Sequence, residues 1–137
     1  MYILLVLCAT TIYLLFAWKW PKKEQKFYLN ERPIIFGHRG APTQATENTL
    51  LSFTRALDQG VEGFEFDIRL TSDGEIVIFH DDSLLRMCGS NINISDLSYE
   101  ALQGHYLKKE KNQEENVTIP LLEEAAESID RAKVVNI

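Results

Sequence analysis

The pattern of hydrophobic and polar positions divides the chain into two unlike parts. Residues 1–18, MYILLVLCATTIYLLFAW, carry no charged side chain. As a helix rising about 1.5 Å per residue they would span roughly 27 Å, close to the ~30 Å hydrocarbon core of a bilayer. Trp18 and Trp20 lie at one end and Tyr2 at the other, where amphipathic rings favour the interface. Lys19, Lys22, Lys23 and Lys26 follow, and Pro21 stops the helix. No basic segment precedes the apolar run and no small-x-small site follows it, so the pattern predicts an uncleaved single transmembrane helix over 1–20 rather than a signal peptide. A polar linker over 21–32 would join it to residues 33–137.

In that second part, short apolar runs alternate with amphipathic stretches. Residues 33–37 read as a buried strand. Leu50, Leu51, Phe53, Ala56 and Leu57 form a helical stripe within 47–59, and Gly60 closes it. From 63 to 70 the period is two: Phe64, Phe66, Ile68 and Leu70 fall on one face, and Glu65, Asp67 and Arg69 on the other. Residues 71–74 read as a turn and 75–80 as a further strand. The stretch 83–118 is irregular and polar, with a short helix near 98–103. A helix over 121–129 follows Pro120, and 134–137 begins another strand. This order predicts an α/β fold with a largely parallel sheet. The turn at 71–74 leaves two arrangements open, a short crossover or an antiparallel hairpin that sets Glu65 opposite His80.

Charge sharpens the division. The 137 residues have a formal net charge of −6. Four lysines and one glutamate make 1–26 net positive, while the remainder carries ten basic and nineteen acidic side chains. An acidic body speaks against nucleic acid as a partner and suits a protein that gathers divalent cations. Cys8 and Cys88 are too few for a disulfide framework and have no C-x-x-C spacing. The lysine cluster places the body in the cytoplasm. Against it, Asn93-Ile94-Ser95 and Asn116-Val117-Thr118 are sequons that count only on the opposite side. The lysines set the expectation here, a cytoplasmic catalytic part.

Glu65 and Asp67 would stand about 7 Å apart on one strand face. If that face is buried, the two carboxylates need a positive partner between them, and a hard divalent cation would serve. If the strand is a solvated edge, they simply meet water. His38 ends the first strand and precedes Arg39; His80 ends the third and precedes Asp81 and Asp82. In a parallel α/β fold such groups collect at the carboxyl ends of strands, so His38, Arg39, Asp67 and His80 would share one rim. Two imidazoles, a guanidinium and a metal site form a set suited to cleaving a phosphodiester. Asn48 reads equally as a hydrogen-bonding neighbour of His38 or as the cap of the first helix.

The blocks His38-Arg39-Gly40-Ala41-Pro42, Glu47-Asn48-Thr49, Gly63-Phe64-Glu65-Phe66-Asp67, Thr71-Ser72-Asp73-Gly74 and Phe79-His80-Asp81-Asp82 resemble, in order and spacing, those of the glycerophosphodiester phosphodiesterases. The resemblance extends over 33–137 and implies the N-terminal part of a (β/α)₈ TIM barrel. It implies His38 and His80 as the acid/base pair, Arg39 as a catalytic residue binding phosphate, and Glu65 and Asp67 as ligands of Ca²⁺ or Mg²⁺. The implied substrate is a glycerophosphodiester, cleaved to glycerol 3-phosphate and an alcohol. The apolar N-terminus resembles the membrane-bound branch, which implies a lysophospholipase D releasing lysophosphatidic acid from a lysophospholipid. Thr46 stands where the family has proline. The family's third metal ligand is an acidic residue following a Val-Asn-Ile-like strand, and the printed sequence stops at Ile137. A barrel of this kind needs about 250 residues; the expectation is therefore a truncated domain, and a catalytically silent anchored fragment is the third reading.

Overall fold

The computed structural model describes residues 6, 10, 11, 13, 33–108 and 116–137. Of the anchor expected over 1–20, only Val6, Thr10, Thr11 and Tyr13 are described, and all four are helical. Thr10 Oγ1 donates to the Val6 carbonyl one turn back, at 2.9 Å. The rest of the anchor and the linker over 21–32 lie outside the described residues. Among the described residues, no helix is long and apolar enough to cross a membrane. Residues 33–137 form a unit of their own.

In that unit, β1 (Phe36–His38) leads through a loop to α1 (Leu50–Asp58) and then to β2 (Gly63–Glu65). A hairpin of β3 (Ile68–Leu70) and β4 (Ile76–Ile78) follows. After it come α2 (Leu85–Cys88), a 3₁₀ turn at Ile94–Asp96 and α3 (Tyr99–Leu102). A second 3₁₀ turn (Glu123–Ala125), α4 (Ala126–Arg131) and β5 (Val134–Asn136) complete it. The α/β class expected from the pattern is what the chain adopts. β1, β2 and β5 form one parallel sheet in that order, and β3 with β4 forms a separate antiparallel pair.

Several expectations change. The single strand expected over 63–70 is split between the two sheets. Phe66 N still donates to the Asn136 carbonyl at 3.1 Å, whereas the Asp67 carbonyl already accepts from Phe79 N at 2.9 Å. The open choice at 71–74 resolves as a hairpin, with Ile68 facing Ile78, Arg69 facing Val77 and Leu70 facing Ile76. That register differs by one residue from the pairing of Glu65 with His80, which therefore does not form. A slip of one residue exchanges the two faces of a strand. At β1, Ile35 and Phe36 are exposed rather than buried. β1 is the outer strand of its sheet, with packing from the β2 side.

The core has two compartments, divided by β4. Ile78 joins Phe53, Phe64, Phe66 and Ala125 on one side. Val77 and Phe79 face Leu84, Ile94, Leu102, Leu107 and Ile119 on the other. Ile76 at the start of β4 is exposed, while burial on both faces explains the unbroken apolar run over 77–79. It also corrects the view of 83–118 as an irregular polar stretch, since that segment supplies most of the second compartment. α1 is capped by Thr49, whose hydroxyl accepts from Ser52 N, and not by Asn48. Gly63 lets β2 and β5 approach: a Cβ there would sit 2.0 Å from the Val134 carbonyl oxygen.

Phe53 and Phe64 stack with ring centroids 4.5 Å apart, and Phe66 packs tilted against both. Phe64→Ala is expected to lower stability by about 3–5 kcal/mol, because it removes a fully buried ring and leaves a cavity. Equilibrium denaturation measures this; a loss under ~1 kcal/mol would show that the cluster does not organise the sheet.

Candidate active site

The parallel register sets His38 beside Glu65 and Glu65 beside Asn136, in one row at the carboxyl ends of β1, β2 and β5. His38 Nε2 lies 3.7 Å from Glu65 Oε2, and the imidazole is 73% exposed. The chain then turns sharply. Arg39 takes φ 55° and Gly40 φ 87°. A Cβ at Gly40 would meet Ser52 Oγ at 2.3 Å, so only glycine can lie this close to α1. The Ser52 hydroxyl donates to the Arg39 carbonyl at 2.9 Å and accepts from Ala41 N at 2.8 Å. The loop that carries Arg39 is thereby fastened to the first helix.

Arg39 touches both carboxylates, bringing its positive charge to Asp67 and its backbone to Glu65. Its backbone N–H donates to Glu65 Oε2 at 3.1 Å, and its Nε lies 3.3 Å from Asp67 Oδ2. Asn48 adds a bond from Nδ2 to Asp67 Oδ2 at 3.0 Å and adopts φ 58° to make it. The two carboxylates are only 21% and 23% exposed, so the solvated-edge alternative does not describe them. Thr46 is buried, and its hydroxyl donates to the Lys108 carbonyl at 3.3 Å.

His80 is joined to this group indirectly. Its Nδ1 is hydrogen-bonded to Asp81 Oδ1. Asp81 is held by Arg86, whose Nη2 reaches Glu47 Oε1 at 2.7 Å. Glu47 in turn accepts from Arg39 Nη1 at 2.9 Å. Arg69 steadies the backbone here, donating to the His80 carbonyl and lying 3.1 Å from Asp82 Oδ1. The structure thus brings His38, Arg39, Glu65 and Asp67 into direct contact, and connects His80 through Asp81, Arg86 and Glu47. Glu47 and Asp81 were visible as motif residues without a role, and Asn48 bonds Asp67 rather than capping the first helix. Arg86 had no signal in the sequence, because no helical or strand period links it to Asp81 five residues before it and Glu47 lies 39 positions away.

The network gathers four carboxylates (Glu47, Glu65, Asp67, Asp81) and two guanidiniums, which pair with Glu47, Asp67 and Asp81 while Glu65 is bonded by the Arg39 backbone. With neutral imidazoles, two negative charges remain. Among the described residues, no group of three or more histidine, cysteine or acidic side chains is arranged to hold a metal ion. Two adjacent carboxylates with excess negative charge nevertheless suit a hard divalent cation, whose other positions would go to water and substrate oxygens. Bonds from Arg86, and more weakly His80, hold the Asp81 carboxyl at about 2, below its ordinary 3.8, although burial pushes it up. Burial also raises the Glu47 carboxyl, but the bonds from Arg86 and Arg39 outweigh it and lower the pKa.

Residues 38–137 match the sequence model of the glycerophosphoryl diester phosphodiesterase family. A glycerophosphodiester phosphodiesterase of Bacillus altitudinis is 38% identical over 99 residues, covering 69% of this chain and 39% of that protein. The lysophospholipase D GDPD1 of Mus musculus is 31% identical over 120 residues, covering 82% and 37%. Among solved structures, a glycerophosphodiester phosphodiesterase of Thermotoga maritima superposes with a TM-score of 0.64 at 32% identity, covering 79% of this chain and 44% of that one. An Oleispira antarctica phosphodiesterase in complex with the product sn-glycerol-3-phosphate gives 0.65 at 40% identity, covering 72% and 40%. The chain spans about two fifths of the length of these two curated relatives.

A carboxyl with a lowered pKa contributes stability above its ordinary value and loses it as the pH falls toward the folded value. Melting temperature should therefore drop between about pH 4 and 2, and Asp81→Asn should flatten that segment. Identical slopes in the two proteins would contradict the assignment of Asp81 to the network.

Proposed function

The chain belongs to the glycerophosphoryl diester phosphodiesterase family, and from that membership we propose that it carries part of a site hydrolysing glycerophosphodiesters to glycerol 3-phosphate and an alcohol. The observation that carries this reading is the row of His38, Glu65 and Arg39 at one rim, with Asp67 against the same guanidinium. The family's (β/α)₈ barrel would place that rim at the catalytic end, and the three parallel strands here form one segment of its wall.

His38 and His80 are the acid/base pair. As the nucleophilic oxygen forms its bond to phosphorus, one imidazole accepts its proton; the bond from phosphorus to the departing alcohol breaks as the other imidazole protonates that oxygen. Arg39 faces the phosphoryl oxygens, with Nε and Nη1 already held by Asp67 and Glu47. Glu65 and Asp67 would hold Ca²⁺ or Mg²⁺, which when bound neutralises charge on the phosphoryl group.

A second reading takes a lysophospholipid as substrate. It is favoured by the mouse lysophospholipase D, whose likeness reaches across 82% of this chain. In both readings the protein is attached to a membrane through 1–20, with the catalytic part on the cytoplasmic side. The support is the uncharged run followed by the lysines at 19, 22, 23 and 26.

Incubating the full chain with glycerophosphocholine and with lysophosphatidylcholine, and identifying the phosphorylated product, separates the readings. Glycerol 3-phosphate supports the first and lysophosphatidic acid the second. His38→Ala and His80→Ala should each slow hydrolysis by about 10²–10⁴-fold. Full rate in either variant would overturn the acid/base assignment. A folded chain that cleaves neither compound would favour the silent anchored fragment.

A further inference from the structure

We propose that Arg86 is the positioning residue for His80, acting through Asp81 and fixing which ring nitrogen faces the substrate. Arg86 Nε donates to Asp81 Oδ2 at 2.6 Å and Nη2 to Asp81 Oδ1 at 3.1 Å, a two-pronged fork across one carboxylate. Nη2 also reaches Glu47 Oε1 at 2.7 Å, and Nη1 lies 3.1 Å from Met87 Sδ. The guanidinium is therefore held on several sides although its side chain is 45% exposed.

The consequence falls on the imidazole. Asp81 Oδ1, oriented by that fork, takes the bond from His80 Nδ1. An ionised carboxylate only accepts, so Nδ1 carries the proton and the bare Nε2 is left for the reaction. Freed from Arg86, the Asp81 carboxylate would turn about its side-chain torsions and the imidazole would lose its fixed tautomer. The anchor at the far side matters too. Glu47 is bonded to Arg39 as well, so the orientation of His80 is set from the loop that positions the other half of the site. Lysine cannot replace this arrangement, because an ammonium is a point charge without the planar fork.

The inference rests on the proposed acid/base role of His80, but its test does not read hydrolysis. In the full chain carrying ¹⁵N-labelled histidine, imidazole correlation spectra followed to their alkaline limit distinguish the two tautomers of each ring. Wild-type His80 should show a single Nδ1–H tautomer. In Arg86→Gln and Arg86→Lys that signature should be lost to a mixture of tautomers. His105, bonded to Ser90 in another part of the unit, should be unchanged and so report an intact fold. If Arg86→Gln does not fold, Arg86→Lys, which keeps the charge, carries the test. An Nδ1–H tautomer retained in a folded variant would overturn the proposal. Tautomer loss in a chain without hydrolysis would uphold it while removing the phosphodiesterase reading; hydrolysis with the tautomer unchanged would do the reverse.

Discussion

Two carboxylates close together in the chain, Glu65 at the end of β2 and Asp67 just beyond it, are the constraint from which the rest of the site follows. At an effective dielectric near 20, like charges about 7 Å apart repel by ~2 kcal/mol, while opposite charges at about 3.5 Å attract by roughly twice as much. A guanidinium placed against the pair therefore decides the balance. The Arg39 guanidinium supplies that attraction to Asp67, while Glu65 is bonded by the Arg39 backbone N–H. The surplus of acidic groups around it remains, and the proposed divalent cation would offset it.

Holding Arg39 there imposes unusual backbone. Arg39 and Asn48 both adopt left-handed φ values, a conformation that costs non-glycine residues about 1–2 kcal/mol each. Both lie at the site, and each is fixed by specific bonds. The Arg39 carbonyl accepts from Ser52 Oγ and from Asn48 N, and Asn48 itself reaches Asp67. Strain concentrated at positions over-determined by hydrogen bonds is what a pre-organised binding site requires. The first helix contributes through Ser52 on its buried face, so the packing of α1 and the placing of Arg39 are one event.

Much of this was legible in the sequence, and what was not has physical causes. The helix at Leu50–Asp58 and the alternation of Phe64 and Phe66 against Glu65 and Asp67 followed from periodicity. Periodicity does not record which neighbour a strand bonds to, so the change of sheet between Phe66 and Asp67 was hidden. The register of the hairpin was missed by one residue because two apolar runs match almost equally well in either alignment. The second core compartment escaped notice because its apolar residues, such as Leu84, Ile94 and Leu107, are scattered along short irregular elements. Arg86 was invisible for a different reason, since no regular period links it to Asp81 five residues before it and Glu47 lies 39 positions away.

The central proposal is that Glu65 at the end of β2 and Asp67 just beyond it, crowded but not neutralised by Arg39, bind a divalent cation. Calorimetric titration of the full chain with Ca²⁺ and Mg²⁺ tests it without reference to catalysis. Saturable uptake is expected, weakened about tenfold or more by Glu65→Gln or Asp67→Asn. Absence of uptake, or uptake indifferent to both substitutions, would contradict the account.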